Sequence, residues 1–196
     1  ADLVIAGAVL WKRGRDGGAR VFAGLATSLA GWSFGIFALY FLDDPASAEW
    51  WSRIARTGIC LAPAFGFHVT LDMAEITGRV WWRMLRVGYV AATILAVVNL
   101  AGGLVHGVEP HRWGWYPVPT RLYALLGALL VVYSSLSVLL VWHAWRKPTS
   151  SRQRVRAGCW LVAAAVQVPF MFTNLLPLYG VELYPLGSLG NVAFTA

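Results

Sequence analysis

His68, Asp72 and Glu75 are spaced i, i+4 and i+7. On a helix that spacing places one imidazole and two carboxylates on a single face. Such a column inside a membrane could relay protons or respond to ions. It could also be a ladder at the membrane interface, with Glu75 paired to Arg79 and Asp72 reaching the headgroups, and this plainer reading carries more weight. Arg79, Arg83 and Arg86 continue the stripe if the helix persists past Gly78. His68 is the deepest member, although a single histidine on such a face is more often a hydrogen-bonded packing residue.

A second set of polar residues is scattered through apolar stretches: Asn99, Tyr133, Ser134, Ser135, Gln167 and Asn174. They could line a polar cavity. They could equally hold helices together, at about 0.6 kcal/mol per interhelical hydrogen bond, and that role is favoured. The connection Val105–Arg121 gathers His106, Glu109, His111, Trp113, Trp115 and Tyr116, with Pro117 and Pro119. Aromatic rings beside a few hydrogen-bonding groups are material for a small-molecule pocket; a simple interfacial lid is the alternative. Imidazole and carboxylate both ligate zinc, but His106, Glu109 and His111 form no tight metal motif, so no metal is expected. Pro63 and Pro169 each remove a backbone donor from an apolar segment and are candidate hinges. No Gly-rich phosphate loop, HExxH helix or GxSxG elbow is present, so neither a catalytic residue nor a cofactor is expected in this chain.

These residues sit in a chain of 196 residues that is 58% hydrophobic and only 13% charged. A soluble domain would carry about 25% charge, so a disordered chain is excluded and an ordinary soluble enzyme is not expected. A bilayer core about 30 Å thick needs about 20 mostly apolar residues as helix. Uncharged or nearly uncharged runs of that length recur at 21–42, 87–108, 122–145 and 157–181, and a shorter one at 57–71 extends to a span over 54–76. Backbone in hydrocarbon must pair its own polar groups, so these runs are helices. The expected fold is all-α, a polytopic helical membrane bundle. Residues 1–11 and 183–196 are apolar but too short to cross, and read as partial first and last spans of a single seven-helix domain covering 1–196; five full spans with two re-entrant or interfacial ends are the alternative.

Twelve of the sixteen basic residues fall in alternate loops: Lys12, Arg13, Arg15 and Arg20; Arg79, Arg83 and Arg86; Arg146, Lys147, Arg152, Arg154 and Arg156. Short cytoplasmic loops carry excess Lys and Arg. The N-terminal end is therefore expected outside and the C-terminal end toward the cytoplasm, in a bacterial cytoplasmic (inner) membrane. The net charge of +7 is a topology signal, and no nucleic-acid partner is expected. Ten of the eleven tryptophans lie near span ends, where amphipathic rings prefer to sit; Trp32 alone is mid-span. Cys60 and Cys159 fall in opposite leaflets, too far apart for a disulfide.

Several stretches resemble a known family. They are "ALYFLDDP" closing the second span, "WWSRIARTGICLAPAFGFHVTLDMAEITGR" with its mid-span proline, "VVNLAGGLVHGVEPHRWGWYP" with an aromatic outer loop, the basic "WRKPTSSRQRVRAG" loop, and "NLLPLYGVELYPLG". Together they resemble the N-terminal seven-transmembrane region of bacterial sensor histidine kinases and some diguanylate cyclases, over nearly the whole chain. The resemblance implies a sensory input module whose seventh helix drives a dimeric cytoplasmic output domain. It also implies that Asn99, His106 and the Trp113–Tyr116 loop lie on the outer, ligand-facing side. The chain itself holds no kinase histidine box and no ATP site. Expected partners are the lipid bilayer, an unknown small ligand, and a second copy or other membrane subunits. Two other classes are compatible with the sequence: an accessory structural subunit of a larger membrane complex, and a small transporter or channel. The latter ranks last for want of paired broken helices.

Overall fold

The computed structural model describes residues 2–13, 16–187 and 189–190. Six α-helices are found among them: α1 (Asp2–Arg13), α2 (Gly17–Ala38), α3 (Pro45–Met73), α4 (Arg79–Leu100), α5 (Tyr123–Arg146) and α6 (Ser151–Thr173). A hairpin of β1 (Val105–His111) and β2 (Gly114–Pro119) joins α4 to α5, and a short 3-10 turn, Leu176–Tyr179, follows α6. Helices α2 to α6 are long and apolar enough to cross a membrane. The fold is an all-α membrane bundle. Half of the expected span at 183–196 lies outside the described residues; residues 183–186 are not helical, whereas Gly187, Leu189 and Gly190 are.

Local sequence sets the helix boundaries. Asp44 caps α3 by accepting from the Ser47 N–H at 2.8 Å, with Pro45 in the first turn. Aspartate and proline are favoured there because the first N–H groups lack helical partners. Helix α3 thus starts nine residues before the expected 54, and its 29 residues rise about 44 Å, longer than the bilayer core. At the other end the Ile76 N–H returns to the Leu71 carbonyl at 2.9 Å and Glu75 takes a left-handed φ of 56°. This closing turn satisfies orphan carbonyls and corrects the polar-column expectation. The helix ends at Met73, so Glu75 leaves the face shared by His68 and Asp72, and Arg79, Arg83 and Arg86 belong to α4. Instead of pairing with Arg79, Glu75 accepts a 3.4 Å hydrogen bond from the Thr149 hydroxyl. Among the described residues no Glu75–Arg79 ion pair forms.

The span expected over 87–108 also divides. Helix α4 stops at Leu100, where Gly102 takes a φ of 86° and the chain turns into β1. The strands pair antiparallel, with Glu109 opposite Tyr116 and a two-residue turn between His111 and Gly114. The irregularity between Val105 and Val108 falls at Gly107, whose φ is 126°. Prolines 110, 117 and 119 are tolerated because a two-stranded sheet consists of edges.

Helix α3 is the central element, packed against α2, α4, α5 and the hairpin. Its approach to α2 is close. A Cβ on Gly58 would stand 2.3 Å from the Ser28 carbonyl oxygen, and one on Gly35 would stand 2.1 Å from the Ala55 Cβ. Small residues drive such approaches where lipid gives helices no hydrophobic reason to associate.

The two ends of the bundle differ. One end gathers the three basic connections: Asp72 of α3 lies beside Gly18 of α2, and Gln153 of α6 donates to the Ala74 carbonyl at 3.2 Å. At the opposite end the hairpin lies across the α2–α3 turn and the segment after α6.

Candidate functional site

Beneath the hairpin lies a cavity of about 620 Å³, walled by α2, α3, α5 and α6. Leu25, Leu29 and Trp32 face it from α2, and Ile59, Pro63 and Gly66 from α3. The walls are mostly apolar. Its polar groups include Arg56, Tyr116, Tyr123, Gln167 and Asn174. Its size and its few convergent polar groups match small-molecule sites in general.

The hairpin is fixed over this cavity at several points. The Trp115 indole N–H donates to the Leu42 carbonyl at 2.8 Å, and Gly114 sits so close to Tyr40 that a Cβ would stand 3.0 Å from its Cα. The Tyr116 hydroxyl donates to the Asn174 carbonyl at 2.5 Å. Burial pushes the Tyr116 phenol well above its ordinary range, against an opposing pull from Arg56. His111 stacks on Trp113 with ring centroids 4.9 Å apart and meets the edge of Tyr116 at 5.8 Å. Trp113 in turn meets Tyr184, which stacks on Tyr40. Burial, with a hydrogen bond to Tyr184, raises the Tyr40 phenol as well.

Asn174 joins three elements. Its carbonyl takes the hairpin's Tyr116 hydroxyl, it caps the end of α6, and its side-chain oxygen accepts the Gly187 N–H at 3.2 Å. One residue earlier, the Thr173 hydroxyl accepts the Leu186 N–H at 2.8 Å. Pro169 lies one helical turn before this junction.

The structure therefore brings Tyr116, Asn174, Gln167 and Pro63 to one cavity, with Trp113, Trp115 and His111 in the cap above it. Other expected residues go elsewhere. His106 and Glu109 are exposed on β1, and among the described residues no cluster of three or more His, Cys, Asp or Glu could hold a metal. Asn99 is fully buried, and its amide donates to the Arg53 carbonyl at 2.6 Å, which ties α4 to α3. His68 lies 3.1 Å from the Tyr89 hydroxyl and 3.9 Å from Asp72, also at the α3–α4 contact. Pro169 is exposed on α6. Tyr133 donates to the Met84 carbonyl at 2.8 Å and links α5 to α4.

Sequence reasoning missed Arg56. It falls in the first turn of the expected 54–76 span, yet it lies well inside α3 and is only 2% exposed. The available signal was the Asp44-Pro45 helix start, which moves Arg56 from the first turn of the expected span to the interior of α3.

No curated protein and no solved structure is detectably similar to the chain. The family described as the N-terminal 7TM region of histidine kinase has a model that matches residues 2–196, nearly all of the sequence, and the chain belongs to that family.

Proposed function

We propose that this membrane input region senses a signal at its hairpin-capped end and passes it along the segment after α6 to a cytoplasmic output domain. The reading rests on the junction at Asn174. There the hairpin's Tyr116, the end of α6 and the backbone of Gly187 share one buried set of hydrogen bonds. A ligand that binds differently to two positions of the hairpin biases that junction by the difference in affinity. Pro63 and Pro169 are the points where α3 and α6 bend most readily, since each lacks an N–H and leaves a carbonyl one turn earlier without its helical donor. The clustered basic loops support a cytoplasmic face opposite the hairpin, by the positive-inside bias.

The test uses the full-length protein. Trp115→Ala removes the indole that pins the hairpin to Leu42, and output activity is expected to shift about tenfold, equivalent to about 1.4 kcal/mol. Output unchanged across growth conditions would count against sensing at the hairpin. A protein with no output that co-purifies stably with a larger membrane complex would favour the accessory-subunit reading instead.

A further inference from the structure

Two arginines at the basic end of the bundle share one aromatic platform. Arg146 closes α5, and Arg154 lies in the opening turn of α6. The Arg146 guanidinium lies over the Trp142 ring, 5.7 Å from its centroid, and that of Arg154 lies over the Trp145 ring at 5.9 Å. Both distances are within cation–π reach. The two indoles touch each other, with centroids 5.3 Å apart. Two cations from two helices are thus gathered at a single corner.

The corner is held in place. Trp145 rests against α6, where a Cβ on Gly158 would stand 3.4 Å from the indole nitrogen. The connection itself is fastened too. The Thr149 N–H donates to the Gln153 side-chain oxygen at 2.7 Å, and the Gln153 amide donates to the Ala74 carbonyl beyond α3 at 3.2 Å. An arginine stacked on a ring keeps the N–H edge of its fork free for a phosphate. A loose basic loop would carry the same charge without this fixed geometry.

No carboxylate of the described residues answers the charge. None lies within 4.0 Å of Arg146 or Arg154; the ion pairs found are Arg53–Glu49 and His68–Asp72. The three basic connections gather twelve Lys and Arg around three acids, Asp16, Asp72 and Glu75. Each acid is engaged elsewhere. Asp16 accepts the Gly18 N–H at the start of α2, Asp72 lies 3.9 Å from His68, and Glu75 accepts from Thr149. The complement to Arg146 and Arg154 must come from outside these residues.

The surroundings say which anion fits. Indole rings prefer the headgroup level of a membrane, and Trp142 is 47% exposed. One turn deeper the exposed side chains are apolar: Leu139 on the Trp142 face of α5 and Val162 on the Gly158 face of α6. A phosphate on the arginines would therefore have acyl chains against an apolar wall. A soluble anion would leave that wall unused.

We infer that the platform of Arg146, Trp142, Trp145 and Arg154 binds the phosphate of an anionic phospholipid in the leaflet at the basic end. Basic residues beside a membrane segment attract such lipids in general, and the fixed platform makes this corner selective. The inference stands apart from sensing at the hairpin, which lies at the opposite end.

The full-length protein is exchanged into mixed micelles holding equal amounts of phosphatidylglycerol and phosphatidylcholine, and the retained lipids are counted by native mass spectrometry. Phosphatidylglycerol is expected to be retained at least about tenfold over phosphatidylcholine, the scale of two basic residues at a bilayer surface. Arg146→Gln combined with Arg154→Gln should lower that preference about tenfold. Arg79→Gln combined with Arg83→Gln makes the same charge change on exposed residues of α4 and should lower it less than about twofold, since neither lies on the platform. Equal loss in the two double variants would mean diffuse attraction and overturn the site. A preference that survives the first double variant, or no preference in the unmodified protein, would also overturn it. Displacement of phosphatidylglycerol by the same concentration of glycerol 1-phosphate would overturn the assignment to a lipid. The measurements on the unmodified protein decide the matter even if a variant does not fold.

Discussion

Gly58→Leu is expected to pry α2 from α3 and to destabilise the bundle by about 3 kcal/mol, at the upper end of the usual cost of overpacking. The reason is the identity of the neighbour. The first atom a Cβ would meet is the Ser28 carbonyl oxygen, at 2.3 Å, and a backbone carbonyl cannot rotate aside as a side chain could. The two helices meet again where Gly35 touches Ala55, so they cannot separate at one point without straining the other. Helix α3 also carries the contacts to α4, α5 and the hairpin, and its displacement would spread through the bundle. Gly31 is the matched control, because a Cβ there meets nothing within 4 Å. Gly31→Ala should leave stability unchanged or raise it by up to about 1 kcal/mol, through helix propensity. Thermal melting in detergent, followed by tryptophan fluorescence, separates the two variants; equal melting would show that the α2–α3 approach is not tight.

Arg56→Met is expected to have the opposite sign. Replacing a buried charge with an apolar side chain of similar length is often neutral or stabilising, by about 1–4 kcal/mol. Here the charge lacks a carboxylate partner among the described residues, and its hydrogen bonds run only to Ser52 on its own helix. The protein should therefore melt at the same temperature or higher after the substitution. A residue kept for stability would behave otherwise: its loss would lower the melting temperature.

The physical origin of each element explains how far it could be read from sequence. Helices α2, α5 and α6 were legible because a bilayer demands a fixed length of apolar residues, and the runs at 21–42, 122–145 and 157–181 meet that demand. The start of α3 was not, because Glu49 and Arg53 resemble a polar loop until Asp44 and Pro45 are recognised as a helix cap. The hairpin was hidden by its valines, which extended the apparent fourth span past Leu100; the glycine pair 102–103 marked the true break. Tyr116 and Asn174 could be named as candidates, but their contact spans 58 positions and depends on the hairpin. Arg56 was legible in type and not in place, since burial is a property of the packed bundle.

Amide exchange at Leu186 and Gly187, compared between the unmodified protein and Tyr116→Phe in nanodiscs, tests the central claim most directly. The substitution keeps the ring and removes one hydroxyl, so the Asn174 carbonyl loses a donor worth about 1 kcal/mol. If the hairpin and the final segment are coupled through Asn174, both amides should exchange about fivefold faster together with the hairpin amides. Faster exchange in the hairpin alone, with Leu186 and Gly187 unchanged, would contradict a signal path through this junction.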